Sequence, residues 1–299
     1  MKATPLITVV IVNYNYGRYL GKCLDSVFAQ TYRNIEVIVV DDGSTDNSLE
    51  VLQPYSERIL LVQQGNKGVS AARNVGLAKS RGQWIAFLDS DDTWRPEKLQ
   101  EQSNYFQDPA VGMVFCGLEF TDDSGRRLGY TRPLLSGDFL LQLVTFTSPA
   151  IGGGSTAIVR SECLRRLGVF DEQLSTAADL DMWVRIAAQY EIRAVPAPLV
   201  KYRCHSTSMH LKVPLFEHDN YRLLTNVFSN PSFARVHNLR RQSFGKFYMI
   251  LAGSYFQQTN WGRSIYCAFK ALSYWPLELT HLLGFPVRVL RRLITRCCD

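Results

Sequence analysis

The chain has 299 residues, 46% hydrophobic and 20% charged, which supports a real core and excludes disordered, collagenous and coiled-coil classes. Its length is about two domains at roughly 150 residues each, although one α/β domain reaches that size. The net charge of +6 is unevenly placed, because residues 235–299 carry 10 basic and 2 acidic side chains while residues 1–234 carry 23 and 25.

The first 110 residues alternate between strand and helix patterns. Residues 6–12 are a continuous apolar, β-branched run, as expected of a strand buried on both faces. Residues 19–30 repeat Leu20, Leu24, Val27 and Phe28 at helical spacing. A second buried strand is predicted at 35–40. Ser44, Thr45 and Asp46 then offer an N-cap for a helix over 48–53. A short strand at 59–62, an Ala-rich helix at 69–79 and a strand at 84–88 complete the series. This rhythm predicts βαβ units and a mostly parallel sheet.

Beyond residue 110 the rhythm loosens. Strands are predicted at 111–116 and 118–121, with Asp122, Asp123, Ser124 and Gly125 forming a turn. Three glycines at 152–154 precede a strand at 155–159, a helix spans 181–189 and residues 194–202 read as extended. From about 215 onwards the pattern is helical. There is no internal repeat. Wound as a helix, residues 282–296 place Leu282, Leu283, Pro286, Val287, Val289, Leu290, Leu293 and Ile294 on one side, and Arg288, Arg291, Arg292 and Arg296 on the other. A basic amphipathic helix of this kind fits an anionic bilayer interface better than nucleic acid, the competing reading being a helix packed on its own domain. The seven cysteines (23, 116, 163, 204, 267, 297 and 298) form no CxxC pair and read as reduced thiols. No signal peptide is read at the start, nor any apolar stretch of about 18 residues.

Two predicted strands end in aspartates: Asp41 and Asp42 after the second, and Asp89, Asp91 and Asp92 after the fourth. Ligands of parallel α/β sheets bind beyond the carboxyl ends of the strands, so these five carboxylates are expected at one crevice. Gathering them without cations costs repulsion, and a hard divalent ion, Mn²⁺ or Mg²⁺, is the natural remedy. Such an ion suits chemistry on a diphosphate. Asp42 and Asp46 are alternatively turn and cap residues. Gly68 at the start of the third helix permits close approach of an anion, and Arg73 one turn later is placed to pair with Asp41 or a phosphate, or to form a buried salt bridge. Asp179 and Asp181 are either helix-start acids or, for Asp179, a general base delivered from the second half of the chain. His205 reads as a ligand of metal or phosphate, or as structural. One alternative is a phosphotransferase, since Asp89 to Thr93 fits the DxDx[TV] pattern of haloacid-dehalogenase-like phosphatases. A non-catalytic membrane-surface scaffold is the other.

The runs ITVVIVNYN (7–15), VVDDGSTD (39–46), Gly68-x-x-x-Ala-Arg-Asn, FLDSDD (87–92), Gly168-x-Phe-Asp-Glu and Asp179-x-Asp-x-Trp, in this order, resemble the family 2 inverting glycosyltransferases. The resemblance implies a glycosyltransferase A-type fold with a mixed, mainly parallel central sheet. It places a catalytic domain at 1–210, with a nucleotide-binding half at 1–110 and an acceptor-binding half at 111–210. A helical C-terminal region with the basic tail follows at 211–299. It also implies transfer of a single sugar from a nucleotide-diphosphate donor to a glycan or lipid-linked acceptor, on the cytoplasmic side of a membrane. Asn13, Asn15, Asp41, Arg73, Asp89 and Asp92 would serve the nucleotide sugar, Asp91 the Mn²⁺ or Mg²⁺, and Asp179 would be the base; His205 joins the metal set from the reading of its own chemistry, not from the resemblance. Ala178 stands where many relatives carry Glu, and the Gln-x-x-Arg-Trp motif of processive members is missing.

Overall fold

The computed structural model describes residues 4–133, 137–147, 153–205 and 212–278. They divide into two compact units, Met1–Leu143 with Ser148–Leu211, and Val144–Thr147 with Lys212–Asp299.

In the first unit, β1 (Ile7–Asn13), α1 (Gly17–Phe28), β2 (Ile35–Asp41), α2 (Ser48–Leu52), β3 (Leu60–Gln63), α3 (Val69–Lys79) and β4 (Trp84–Asp89) follow the predicted alternation. Next come β5 (Thr93–Trp94), α4 (Lys98–Ser103), β6 (Val111–Thr121), β7 (Arg127–Thr131), α5 (Phe139–Val144), β8 (Ile158–Arg160), α6 (Ser161–Leu167), α7 (Ala178–Gln189) and β9 (Glu191–Arg203). The nine strands form one sheet in the order β3-β2-β1-β4-β8-β6-β9-β5, with β7 on β6. Pairing is parallel from β3 through β4 and between β6 and β9, and antiparallel elsewhere.

Both faces of β1, β2 and β4 are covered, which is why they read as nearly unbroken apolar runs. Val37 and Val39 join Val9, Ile11 and the α1 residues Leu20, Leu24 and Val27 in one cluster. Ile38 and Val40 turn the other way and meet Ala72 of α3. Helix α3 lies very close to the sheet: a methyl group added to Gly76 would stand 2.4 Å from Val10 Cγ1.

Three local expectations are revised. The predicted break at residue 117 is absent, and β6 runs through it. Gly117 marks instead a close backbone approach, since a Cβ there would meet Thr131 O at 2.4 Å, and the register against β9 shifts at this point. The predicted strand at 155–159 is a 3₁₀ turn, Gly154–Thr156, followed by β8. Helix α7 begins three residues before its predicted start, so Asp179 falls in its first turn. Cys23, Cys116, Cys163, Cys204 and Cys267 are free thiols.

The second unit contains α8 (Val213–Ser229), a 3₁₀ segment (Pro231–Leu239), α9 (Arg240–Gln257) and α10 (Trp261–Tyr274). Its core is aromatic, with Phe244, Phe247, Tyr248 and Tyr255 buried on α9. Helix α10 turns its small residues Ser264, Cys267 and Ala271 inward, and Ser264 Oγ donates to Ala252 O at 2.8 Å. The amphipathic segment predicted at 282–296 lies outside the described residues. Among the described residues no helix is long and apolar enough to cross a membrane.

Candidate active site

The parallel register sets the site. Asn13 at the end of β1 lies beside Asp41 at the end of β2, and Val12 lies beside Asp89 at the end of β4. Three strand ends therefore deliver polar side chains to one rim.

At the β1–β2 side, Asn13 Nδ2 reaches Asp41 Oδ1 at 3.0 Å, Ser44 Oγ at 3.1 Å and Ser48 Oγ at 2.9 Å. Asp41 Oδ2 accepts from the Ser44 amide at 3.0 Å. Asn15 adopts a positive φ of 58°, a conformation that asparagine tolerates, and its Oδ1 accepts from the Thr45 amide at 2.7 Å. These contacts lace the β1–α1 loop to the β2–α2 loop. Asp42 faces away from them: its carboxylate accepts from Gln64 Nε2 at 2.7 Å and from the Lys67 and Gly68 amides, both at 2.9 Å. It thereby holds the loop that leads into α3, and Gly68 turns there with φ 91°.

Arg73, one turn into α3, is 3% exposed. Its Nη2 meets Asp89 Oδ1 at 2.9 Å and its Nη1 meets Asp179 Oδ1 at 2.8 Å. Arg73 thus forms the buried ion pair considered from sequence, with Asp89 and Asp179 as its partners in place of Asp41. Asp179 Oδ2 accepts from the Gly154 amide at 2.8 Å. Gly154 is packed so closely that a Cβ would stand 3.0 Å from Arg73 Nη2. Burial pushes the Asp179 carboxyl above the ordinary aspartate range, Arg73 opposes that rise, and the charge of Asp89 adds to it.

Asp91 and His205 face each other, with Oδ2 and Nε2 3.0 Å apart. The imidazole is fully buried and packs edge-on against Tyr16 at 5.3 Å between centroids, with Tyr19 at 5.4 Å. Burial and the Asp89 charge push the Asp91 carboxyl up, while His205 opposes. Burial also drives Asp92 well up, reinforced by Asp91 and Asp89. Among the described residues no group of three His, Cys, Asp or Glu side chains gathers as a complete cation cage. An aspartate oxygen beside an imidazole nitrogen nonetheless suits Mn²⁺ or Mg²⁺ when a diphosphate supplies further oxygens.

Two residues not anticipated from sequence support this arrangement. Arg203 donates from its amide to Asp92 Oδ1 at 3.1 Å, from Nε to Asp91 O at 3.1 Å and from Nη1 to Asp123 O at 2.9 Å. It staples the aspartate loop to the end of β9, two residues before His205. Asn74 exchanges hydrogen bonds with the Phe170 backbone at 2.9 Å each way, tying α3 to the 168–172 motif. Asn74 ends the Gly68-x-x-x-Ala-Arg-Asn run, but nothing local gives the role of either residue, because these partners are distant in sequence. Asp181 is bound by Arg185 at 2.6 Å, and Arg185 also donates to Leu167 O and Gly168 O. Asp181 thus closes the end of α6 and leaves the rim to Asp179.

The profile of Glycosyl transferase family 2 matches residues 8–168, more than half of the chain. The chain belongs to glycosyl transferase family 2. An uncharacterised glycosyltransferase of Nostoc sp. is 30% identical over 286 residues, 90% of this chain and 89% of that protein. One from Rickettsia felis is 31% identical over 219 residues, 70% of this chain, and the match spans only 36% of that longer protein. The solved mannosyltransferase PcManGT of Pyrobaculum calidifontis, in complex with GDP-Man and Mn²⁺, superposes with a TM-score of 0.65 at 19% identity, covering 96% of this chain and 81% of its own. The fold is of the glycosyltransferase A type. The family membership sets aside the phosphatase pattern at Asp89, which here follows the fourth strand of the chain, β4.

Proposed function

We propose that the protein transfers a single sugar from a nucleotide-diphosphate donor to a hydroxyl of a glycan or lipid-linked acceptor, with inversion at the anomeric carbon. The observation that carries this reading is the Arg73 bridge, which joins the carboxylate at the end of β4 to the carboxylate on the first turn of α7. It sets a candidate base beside a candidate diphosphate site.

In this reading Asn13, Asn15 and Asp41 border the nucleotide, with Asp41 using lone pairs left over from its contacts to Asn13 and Ser44. Asp89 and Arg73 complete the phosphate side, and Asp92 lies near the donor sugar. Asp91 and His205 would hold Mn²⁺ or Mg²⁺, which when bound offsets the negative charge of the departing diphosphate. PcManGT, with its Mn²⁺, supports the choice of ion. Asp179 takes the proton of the acceptor hydroxyl as its oxygen attacks the anomeric carbon. The bond to the donor phosphate breaks, and the nucleoside diphosphate leaves with the electron pair. An aspartate suffices because the proton need depart only as the glycosidic bond is made, and the raised proton affinity of Asp179 favours that transfer. We further infer that the enzyme works at the cytoplasmic face of an anionic membrane.

The test separates binding from chemistry. Asp91→Asn should weaken metal-dependent binding of the nucleoside diphosphate in calorimetry. Asp179→Asn should leave that binding intact and lower transfer by roughly 10²–10⁴-fold. Normal transfer by the Asp179 variant would remove it as the base.

A further inference from the structure

We propose that the outer face of α10 inserts into an anionic lipid surface. This deepens the membrane part of the proposed function and rests on that reading only for the choice of a bilayer.

Trp261, Ile265 and Phe269 recur at every fourth position of α10, so they stack on one side of the helix. They are 56%, 56% and 68% exposed, while Ser264, Cys267 and Ala271 fill the opposite, buried side. Packing within the unit explains the second stripe but not the first. Trp261 rests its ring on Phe256 at 4.7 Å, with more than half of the residue still open. The polar flank is basic: Arg263 and Lys270 both lie against Tyr266, at 5.5 and 5.8 Å from its ring centroid. An exposed aromatic and aliphatic stripe edged by cations has the composition of an interfacial helix.

Charge decides the occupant. Residues 212–278 hold eight Lys or Arg and three Asp or Glu. Of these acids, Glu217 is taken by Arg263 at 2.6 Å and Asp219 is fully buried. Two copies of so basic a unit repel each other, whereas an anionic bilayer attracts it. Residues 279–299 add four arginines and one aspartate immediately after this stretch of sequence.

The test uses the full chain with phosphatidylcholine vesicles, with and without phosphatidylglycerol. The protein should float with the anionic vesicles only, and brominated acyl chains should quench its tryptophan fluorescence. Trp84, Trp94 and Trp183 are at most 4% exposed and Trp275 is half-buried, so the quenching should come from Trp261. Trp261→Phe should therefore abolish quenching and keep flotation. Ile265→Ser with Phe269→Ser should lower partitioning on the order of tenfold or more, with melting unchanged. Absence of flotation would overturn the proposal. So would flotation without quenching that deletion of residues 282–299 abolishes, since the tail alone would then bind. Concentration-dependent dimerisation lost in the Ser variant would assign the face to a second copy. None of these outcomes bears on nucleotide binding, which is measured separately.

Discussion

Arg73 is a buried cation shared by two carboxylates, and its charge has a calculable consequence for Asp179, the proposed base. Burial raises the Asp179 carboxyl above the usual aspartate value of 3.8 and Arg73 holds part of that rise back. A base must be deprotonated to act, so the acid limb of kcat/KM should lie above that of an ordinary aspartate. Replacing Arg73 with Met removes the opposing charge and should move the limb to still higher pH, with Arg73→Lys restoring part of the shift. An unmoved limb in a folded Arg73→Met protein would contradict the pairing. Lys98 gives a second residue-scale prediction. It is wholly buried, with Nζ 4.0 Å above the Trp94 ring, and burial lowers its pKa from 10.5 to about 8. Between those values the unfolded chain binds the proton that the folded chain has shed, so this residue's contribution makes stability rise with pH across that window. Below about pH 8 both states are protonated and the folded chain bears a cost of about 3 kcal/mol. Lys98→Met should therefore be more stable than the parent at pH 7, with the advantage shrinking towards pH 10. Chemical denaturation at the two pH values checks it, and a Met variant less stable at pH 7 would refute it.

At the scale of elements, the strand ends were readable because each buried apolar run stops at its aspartates: Val40 before Asp41 and Leu88 before Asp89. The register then fixes their neighbours without further information. Of the two partners of Arg73, Asp179 was not readable in the same way, since it arrives from α7 and only the tertiary fold brings the two together. Gly117 misled the strand pattern for a related reason, because local chemistry does not distinguish a glycine that ends a strand from one that admits a neighbour's carbonyl. The same logic yields a prediction for Gly76, which lies within helix α3 and needs no unusual backbone angle. Its methyl in Gly76→Ala would intrude on Val10 of β1, so α3 must lift from the sheet. Despite the better helix propensity of alanine, the substitution should cost about 1–3 kcal/mol in urea unfolding. A neutral or stabilising outcome would mean that α3 sits farther from β1 than described.

At the scale of the whole molecule, charge divides along the chain. Residues 1–234 are close to neutral and contain every residue predicted for the site, whereas the surplus of cations falls in residues 235–299. Order of motifs, more than any single motif, made the fold readable: six short runs at strand ends and helix starts occur in the sequence of one architecture. The donor base and the acceptor leave no comparable trace, because none of the six runs has a residue type or spacing that separates one base or one acceptor from another. The central claim is a metal-dependent sugar-nucleotide site, and thermal melting with UDP, GDP, dTDP and CMP, each with Mn²⁺, Mg²⁺ or EDTA, tests it most directly. A ligand that binds only the folded chain must raise its melting temperature. The account predicts a rise for one nucleoside diphosphate that EDTA removes; no rise with any nucleotide, or a rise indifferent to the metal, would contradict it.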